Sequence, residues 1–192
     1  IRMVWEWRLP RVLFALLGGV ALAVSGAIFQ SLTRNPLGSP DVIGFDAGAY
    51  TGALLVMLVL GSTSYSLLAF GAVTGGALTA LAVYFLAWRR GMHGFRFIIV
   101  GIGLAAFLTG INNYLLIRTG AEQAKAAVSW GFGSFAGLGF AQFWPFAVAV
   151  VLVLVLVGFR STNFGQLELG DDAASALGVN VERNRFVMTL LG

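Results

Sequence analysis

VLFALLGGVALAVSGAIFQSLT, residues 12–33, runs from end to end without a charged side chain. A helix that crosses the hydrocarbon core of a bilayer needs about 20 predominantly apolar residues, so this stretch is long enough for one span. Further blocks repeat the pattern. Residues 47–88 are uncharged and broken only by the polar GSTSYS at 61–66, and 97–117 and 126–159 are uncharged throughout. Over the whole chain 58% of residues are hydrophobic and 10% charged, where soluble domains carry about 25% charged residues. Buried helices of a large soluble protein would need amphipathic neighbours to cover them, and the sequence offers none. The expected fold class is all-α, a polytopic membrane helix bundle. Its spans are placed at about 11–33, 46–61, 66–88, 97–118 and 141–160, with a sixth starting at 186–192.

The loops then alternate between two sides. One side holds Arg34, Arg89, Arg90, Arg96, Arg160, Arg183 and Arg185; the other holds Arg2, Arg8, Arg11, Arg118 and Lys125. The excess of basic residues, with Trp88-Arg89-Arg90 at a span end, makes the first side cytoplasmic. The chain opens on Ile1 and stops within an apolar run, which reads as a piece of a longer chain without a visible signal peptide. Cys is absent and His93 stands alone, so no thiolate or histidine cluster for a metal is expected. A net charge of +4 divided among the loops does not suggest a nucleic-acid surface.

Glycines recur at four-residue spacing: Gly44, Gly48 and Gly52, then Gly71 and Gly75, with Gly19, Ala23 and Ala27 as a small-residue counterpart. Such faces let membrane helices approach closely, so these glycines are assigned to helix packing. Residues 126–140, AAVSWGFGSFAGLGF, are apolar but too short to span before the next helix begins. They read either as a re-entrant half-helix walling an outer vestibule or as an ordinary interfacial loop.

Ionisable groups within a membrane are costly and usually functional, and the expected spans hold almost none. Asp46 sits at the start of a span, where it would cap the helix or, alternatively, serve an ion. Asn112 and Asn113 are candidates either for interhelical hydrogen bonds or for lining a pathway, and Gln30 is a candidate for lining one. A proton-coupled carrier needs an intramembrane acidic or histidine relay, and a membrane hydrolase needs a base near its nucleophile; neither set is visible. No G-x-x-x-x-G-K-[ST] phosphate loop is present, so uphill transport would draw its energy from a partner.

The charge is concentrated instead in ELGDDAASALGVNVERNR, residues 168–185, which hold four of the eight acidic residues. Asp171 and Asp172 at the front complement a helix dipole, and Gly178 suits a left-handed helix end. The pattern encodes a short helix around 168–180 outside the bilayer. A helix of one or two turns is unstable alone in water, so it must pack on its own base or on another chain.

The spacing acidic-x-Ala-x-x-x-Gly, met by Asp172, Ala174 and Gly178 with Asp171 as an alternative start, resembles the coupling loop of bacterial ABC importer permeases. WRLPRVLFALLGGVALAVSGAIFQSLTRNPLGSPDVIGFDAGA (7–49) and GDDAASALGVNVER (170–183) are similar to the iron-siderophore and cobalamin permease family, whose fold is the type II importer bundle. The likeness extends over the whole chain, from roughly the second to the start of the seventh of ten spans. It implies that Asp171, Asp172, Ala174, Ser175, Leu177 and Gly178 couple to an ATPase. It also implies that Arg8 and Arg11 meet glutamates of a solute-binding protein at the outer mouth; alone, two such arginines would read as interface anchors. RNPLGSPD (34–41) matches a structural loop between spans.

The partners implied are two ATPase subunits, a related second permease subunit, a periplasmic or lipoprotein solute-binding protein and membrane lipid. ATP and Mg would be used by the ATPase, with no cofactor bound by this chain. The cargo implied is a ferric siderophore, such as ferric enterobactin or another catecholate, with cobalamin, haem or a hydroxamate as alternatives. The location implied is the bacterial inner membrane. A secondary transporter or channel is the alternative of another class.

Overall fold

The computed structural model describes residues 3–88, 94–135 and 137–192. Arg2, Arg89, Arg90 and His93, used above for sidedness and metal binding, and Ala136 lie outside the described residues. The elements are α1 (Leu9–Thr33), α2 (Phe45–Leu58), α3 (Tyr65–Ala87), α4 (Gly94–Arg118), α5 (Ala121–Gly131), α6 (Phe140–Glu168), α7 (Asp171–Ala176) and α8 (Val181–Leu191). A π-helical turn, Val4–Arg8, runs into α1, whose second position is the buried Pro10. Pro fits there because the first helical amides have no partner within the helix to lose. Among the described residues there is no strand.

Four rods are long and apolar enough to cross a membrane: Val4–Thr33, α3, α4 and α6. Their outward faces are as greasy as their cores. Phe70, Ile117 and Phe159 are 69%, 82% and 82% exposed. Surface of that kind in water would cost about 25 cal/mol per Å²; against lipid tails the cost vanishes.

Phe14 of α1 stacks on Phe146 (5.1 Å) and meets Phe143 edge-on (5.5 Å), which ties the outer ends of α1 and α6 together in parallel. At the inner end, Phe29 of α1 contacts Phe45 (5.2 Å) and Phe97 (6.5 Å). Ile43, Val83 and Met188 complete that core.

Four boundaries differ from the sequence reading, the first being the segment expected from 186, which is α8 and begins at Val181. The span expected at 46–61 is the 14-residue α2, about 21 Å long at 1.5 Å per residue, short of the roughly 30 Å hydrocarbon core. Residues 34–44 lead from the inner end of α1 to Gly44, whose left-handed φ of 89° starts α2 beside Phe29. The helix expected at 141–160 reaches Glu168, eight residues past the expected end, and its final turns bury Phe164 and Leu167 in the inner core. Finally, the segment 126–140 is not one half-helix. α5 begins at Ala121 and ends at Gly131, and the following loop turns through left-handed Gly133 and Gly137.

α2 and α3 cross at their glycines. A Cβ at Gly52 would fall on the Gly71 carbonyl oxygen, and one at Gly75 on the Gly48 carbonyl oxygen. A Cβ at Gly71 would come within 2.6 Å of Val56 and 2.8 Å of the Gly52 oxygen, and one at Gly48 would strike Thr79. The two backbones are in direct contact. Gly44 departs from this face: its hypothetical Cβ would lie 2.7 Å from Ala105, so it packs on α4 and not on α3.

Candidate functional site

At the inner end the chain leaves α6 at Glu168, turns at Gly170 (φ 112°) and forms the six-residue α7. Its end is fixed by the backbone. The Gly178 N–H donates to the Ser175 carbonyl (3.0 Å) and the Val179 N–H to the Ala174 carbonyl (3.0 Å), with Gly178 at φ 82°. That is the paired-bond termination that requires a left-handed residue, for which glycine carries no Cβ penalty. Asn180 then starts α8 by accepting the Arg183 N–H (3.0 Å). Ala174 is fully buried on the inner core with Phe164, Leu167 and Met188. Asp172, Ser175, Leu177 and Gly178 lie on the exposed side.

Of the residues assigned to coupling, then, Ala174 seats the helix on its own base and four others form an open face. Asp171 is held within the chain. Its Oδ1 accepts Arg34 Nη2 (2.5 Å) and Arg185 Nη2 (2.8 Å), and Arg34 Nη2 also donates to the Leu167 carbonyl (3.2 Å). The Arg185 side chain is 7% exposed. Burial pushes its guanidinium below the ordinary value, Asp171 works against that shift, and Arg34 adds to it. In the sequence Arg34 and Arg185 stand as basic residues of two separate loops, and no local pattern pairs either of them with Asp171.

Arg8 and Arg11 are three residues apart where the π-helical turn meets α1, both exposed, with no ion pair among the described residues. Trp5 and Trp7 are exposed beside them, as residues of the outer membrane interface are.

A cavity of about 330 Å³ opens between α2, α4 and α5, bordered by Asp46, Tyr50, Thr109, Asn113 and Trp130. Tyr50 stacks on Trp130 (6.4 Å) and donates to the Ala127 carbonyl (3.1 Å), fastening α5 over α2. Asn113 is exposed on the cavity wall. Asn112 is 3% exposed; its amide donates to the Ala47 carbonyl (3.2 Å), and its oxygen accepts from Thr51 (2.8 Å). It is an α2–α4 tie. Gln30 is exposed at the inner end of α1 and borders neither this cavity nor the apolar one between α1, α2, α3 and α6. Asp46 lies in the first turn of α2, but no side-chain cap bond forms there. Asn112→Leu should lower stability by about 1 kcal/mol, the usual worth of an interhelical polar contact in a membrane. A thermal-shift measurement on purified protein checks it; an unshifted midpoint would mean that the tie contributes nothing.

The FecCD transport family matches residues 1–192. The chain belongs to that family. Among FecCD members, it is 50% identical over 98% of its length to the ferric enterobactin transport system permease protein FepG of Escherichia coli (strain K12), covering 57% of that protein. It is 34% identical over 98% of its length to the iron(3+)-hydroxamate import system permease protein FhuG of Bacillus subtilis (strain 168), covering 58%. A solved structure, an inward-facing conformation of a metal-chelate type ABC transporter, superposes with TM-score 0.90 at 28% identity, over 99% of this chain and 60% of the other. The chain thus spans a little over half the length of the FecCD relatives it matches, and its helical bundle is of the ABC permease kind.

Proposed function

We propose that the protein is a permease subunit of an ATP-driven importer in the bacterial inner membrane, and that it carries a ferric siderophore, ferric enterobactin or another catecholate. The observation that carries the reading is α7. It is a short helix seated through Ala174 at the end of an apolar bundle, with Asp172, Ser175 and Leu177 turned outward, in a chain half identical to a ferric enterobactin permease. A helix that small is held in place by its base and leaves one face for another chain.

An ATPase subunit grips that face, and its closure on ATP, with Mg, rocks the bundle between outward and inward openings. A second permease subunit completes the path, since a cargo as large as an iron chelate needs a wide channel between subunits. A solute-binding protein delivers the cargo to the outer end at Arg8 and Arg11, whose planar guanidiniums match carboxylates. The similarity to a hydroxamate permease makes hydroxamate the second cargo to test.

The decisive experiment is uptake of both iron complexes by the full-length permease in liposomes with its ATPase, second permease and binding protein. ATP-dependent uptake of the catecholate complex is expected. Uptake without the ATPase, or uptake of neither complex, would overturn the importer reading.

Replacing both Arg8 and Arg11 by Glu should weaken docking of the binding protein roughly tenfold at low ionic strength. The difference should shrink as salt shortens the range of charge interactions. A binding titration at two salt concentrations checks this, and equal affinities at low salt would remove the two arginines from the contact.

A further inference from the structure

One carboxylate oxygen at the start of α7 ties the end of α1 to α8, and its Arg34 partner also reaches α6. Asp171 Oδ1 accepts Arg34, one residue past α1, at 2.5 Å, and Arg185, in the first turns of α8, at 2.8 Å. The same Arg34 nitrogen reaches the Leu167 carbonyl in the last turn of α6 (3.2 Å), and Asp171 is itself the first residue of α7.

The site is shaped to keep this contact. Arg34 is, among the described residues, the one non-glycine with positive φ (50°), a conformation that persists where its surroundings enforce it. The buried Arg185 pairs with Asp171, whose side chain is 44% exposed, and removing the partner of a buried charge costs more than breaking a surface pair. Asp172, the neighbouring carboxylate, is exposed and enters no ion pair among the described residues.

From Arg34 the chain passes through 34–44 into α2, whose glycines are locked backbone to backbone on α3. From Arg185 it passes directly along α8. A displacement of α7 is therefore felt at the root of the α2–α3 pair and at α8 through a single side chain.

We propose that Asp171 is a positioning residue that transmits movement of α7 into the membrane bundle, by clamping Arg34 and Arg185 so that α7, the 34–44 segment and α8 move together. Asp172, not Asp171, then faces the ATPase. This rests on the importer reading above and assigns a division of labour within its coupling site.

The test uses the full-length permease with its ATPase, second permease and binding protein in liposomes, reading iron-complex uptake, ATP hydrolysis and the amount of ATPase retained. Asp171→Asn removes the charge and keeps the shape. Arg34→Asn removes the reach while keeping a residue that tolerates the left-handed backbone. Both variants should retain the ATPase and go on hydrolysing ATP, with uptake per ATP about tenfold lower. A merely structural role would lower the yield of folded complex without changing that ratio.

Should Asp171→Asn fail to fold because the buried Arg185 loses its ion pair with Asp171, the half-exposed Arg34 decides the matter through Arg34→Asn. Wild-type uptake per ATP in the folded variants would overturn the clamp and leave the importer reading standing. Loss of the ATPase from Asp171→Asn would also overturn it, placing Asp171 in the docking contact. A wild-type assembly without ATP-dependent uptake would overturn the importer reading, and the clamp with it.

Discussion

Gly75→Ala should markedly destabilise the fold, while Gly76→Ala one position along should be tolerated. A Cβ at residue 75 would fall on the Gly48 carbonyl oxygen and lie 3.0 Å from both the Cα and the nitrogen of Gly52. These are backbone atoms of a neighbouring helix, so no rotamer change relieves them; α2 and α3 must separate. Forcing a methyl into a packed core costs roughly 1–3 kcal/mol, and a clash confined to backbone lies at the upper end. At residue 76 the nearest atom would be the Ala49 Cβ at 3.7 Å, an ordinary contact. Thermal unfolding of the two variants in detergent, followed by the loss of the monodisperse peak, separates them. Equal midpoints would mean that the α2–α3 crossing is looser than the glycine contacts require.

The glycine face was legible because four-residue spacing is a property of one helix. Its limits were not. Gly44 shares the spacing of Gly48 and Gly52, yet its backbone turns left-handed before α2 starts and meets α4. The end of α2 was hidden for a related reason. Val59 and Leu60 are as apolar as the helix before them and 69% and 68% exposed, so hydropathy runs on after the helix has stopped. There the Leu60 and Ser62 amides turn back to the Leu55 and Val56 carbonyls.

The helix read around 168–180 is the six-residue Asp171–Ala176; front-loaded acids and a terminal glycine are local signals of a short helix, though not of its bounds. Which of its two aspartates faces inward was not readable. That depends on Arg34, 137 positions away, and on a buried Arg185, and charge patterning within one segment carries no information on either. Asn112 and Asn113 make the same point: adjacent in sequence and both in the cavity lining, one is buried and hydrogen-bonded to α2 while the other is exposed.

Gly178→Val should uncouple ATP hydrolysis from transport, through the backbone alone. Residue 178 holds φ at 82°, and no atom lies within 4 Å of where its Cβ would be. Space is therefore not at issue. A side chain at positive φ costs roughly 1–2 kcal/mol, and a β-branched one pays more than an asparagine, which visits that region readily. Valine would drive the backbone out of the left-handed region and release the bonds from Gly178 to Ser175 and from Val179 to Ala174 that end α7. The exposed Leu177 would then lose its fixed place beside Asp172 and Ser175. Because Ala174 stays buried on the inner core, the bundle should remain folded. In the reconstituted assembly, uptake per ATP should fall about tenfold for valine, less for alanine and least for asparagine. That ranking follows the cost of positive φ and not the size of the side chain, since asparagine and valine are of similar bulk. If Gly178→Asn were as damaging as Gly178→Val, the glycine would be required for close approach of the ATPase instead, and the helix end would not be the determinant of coupling.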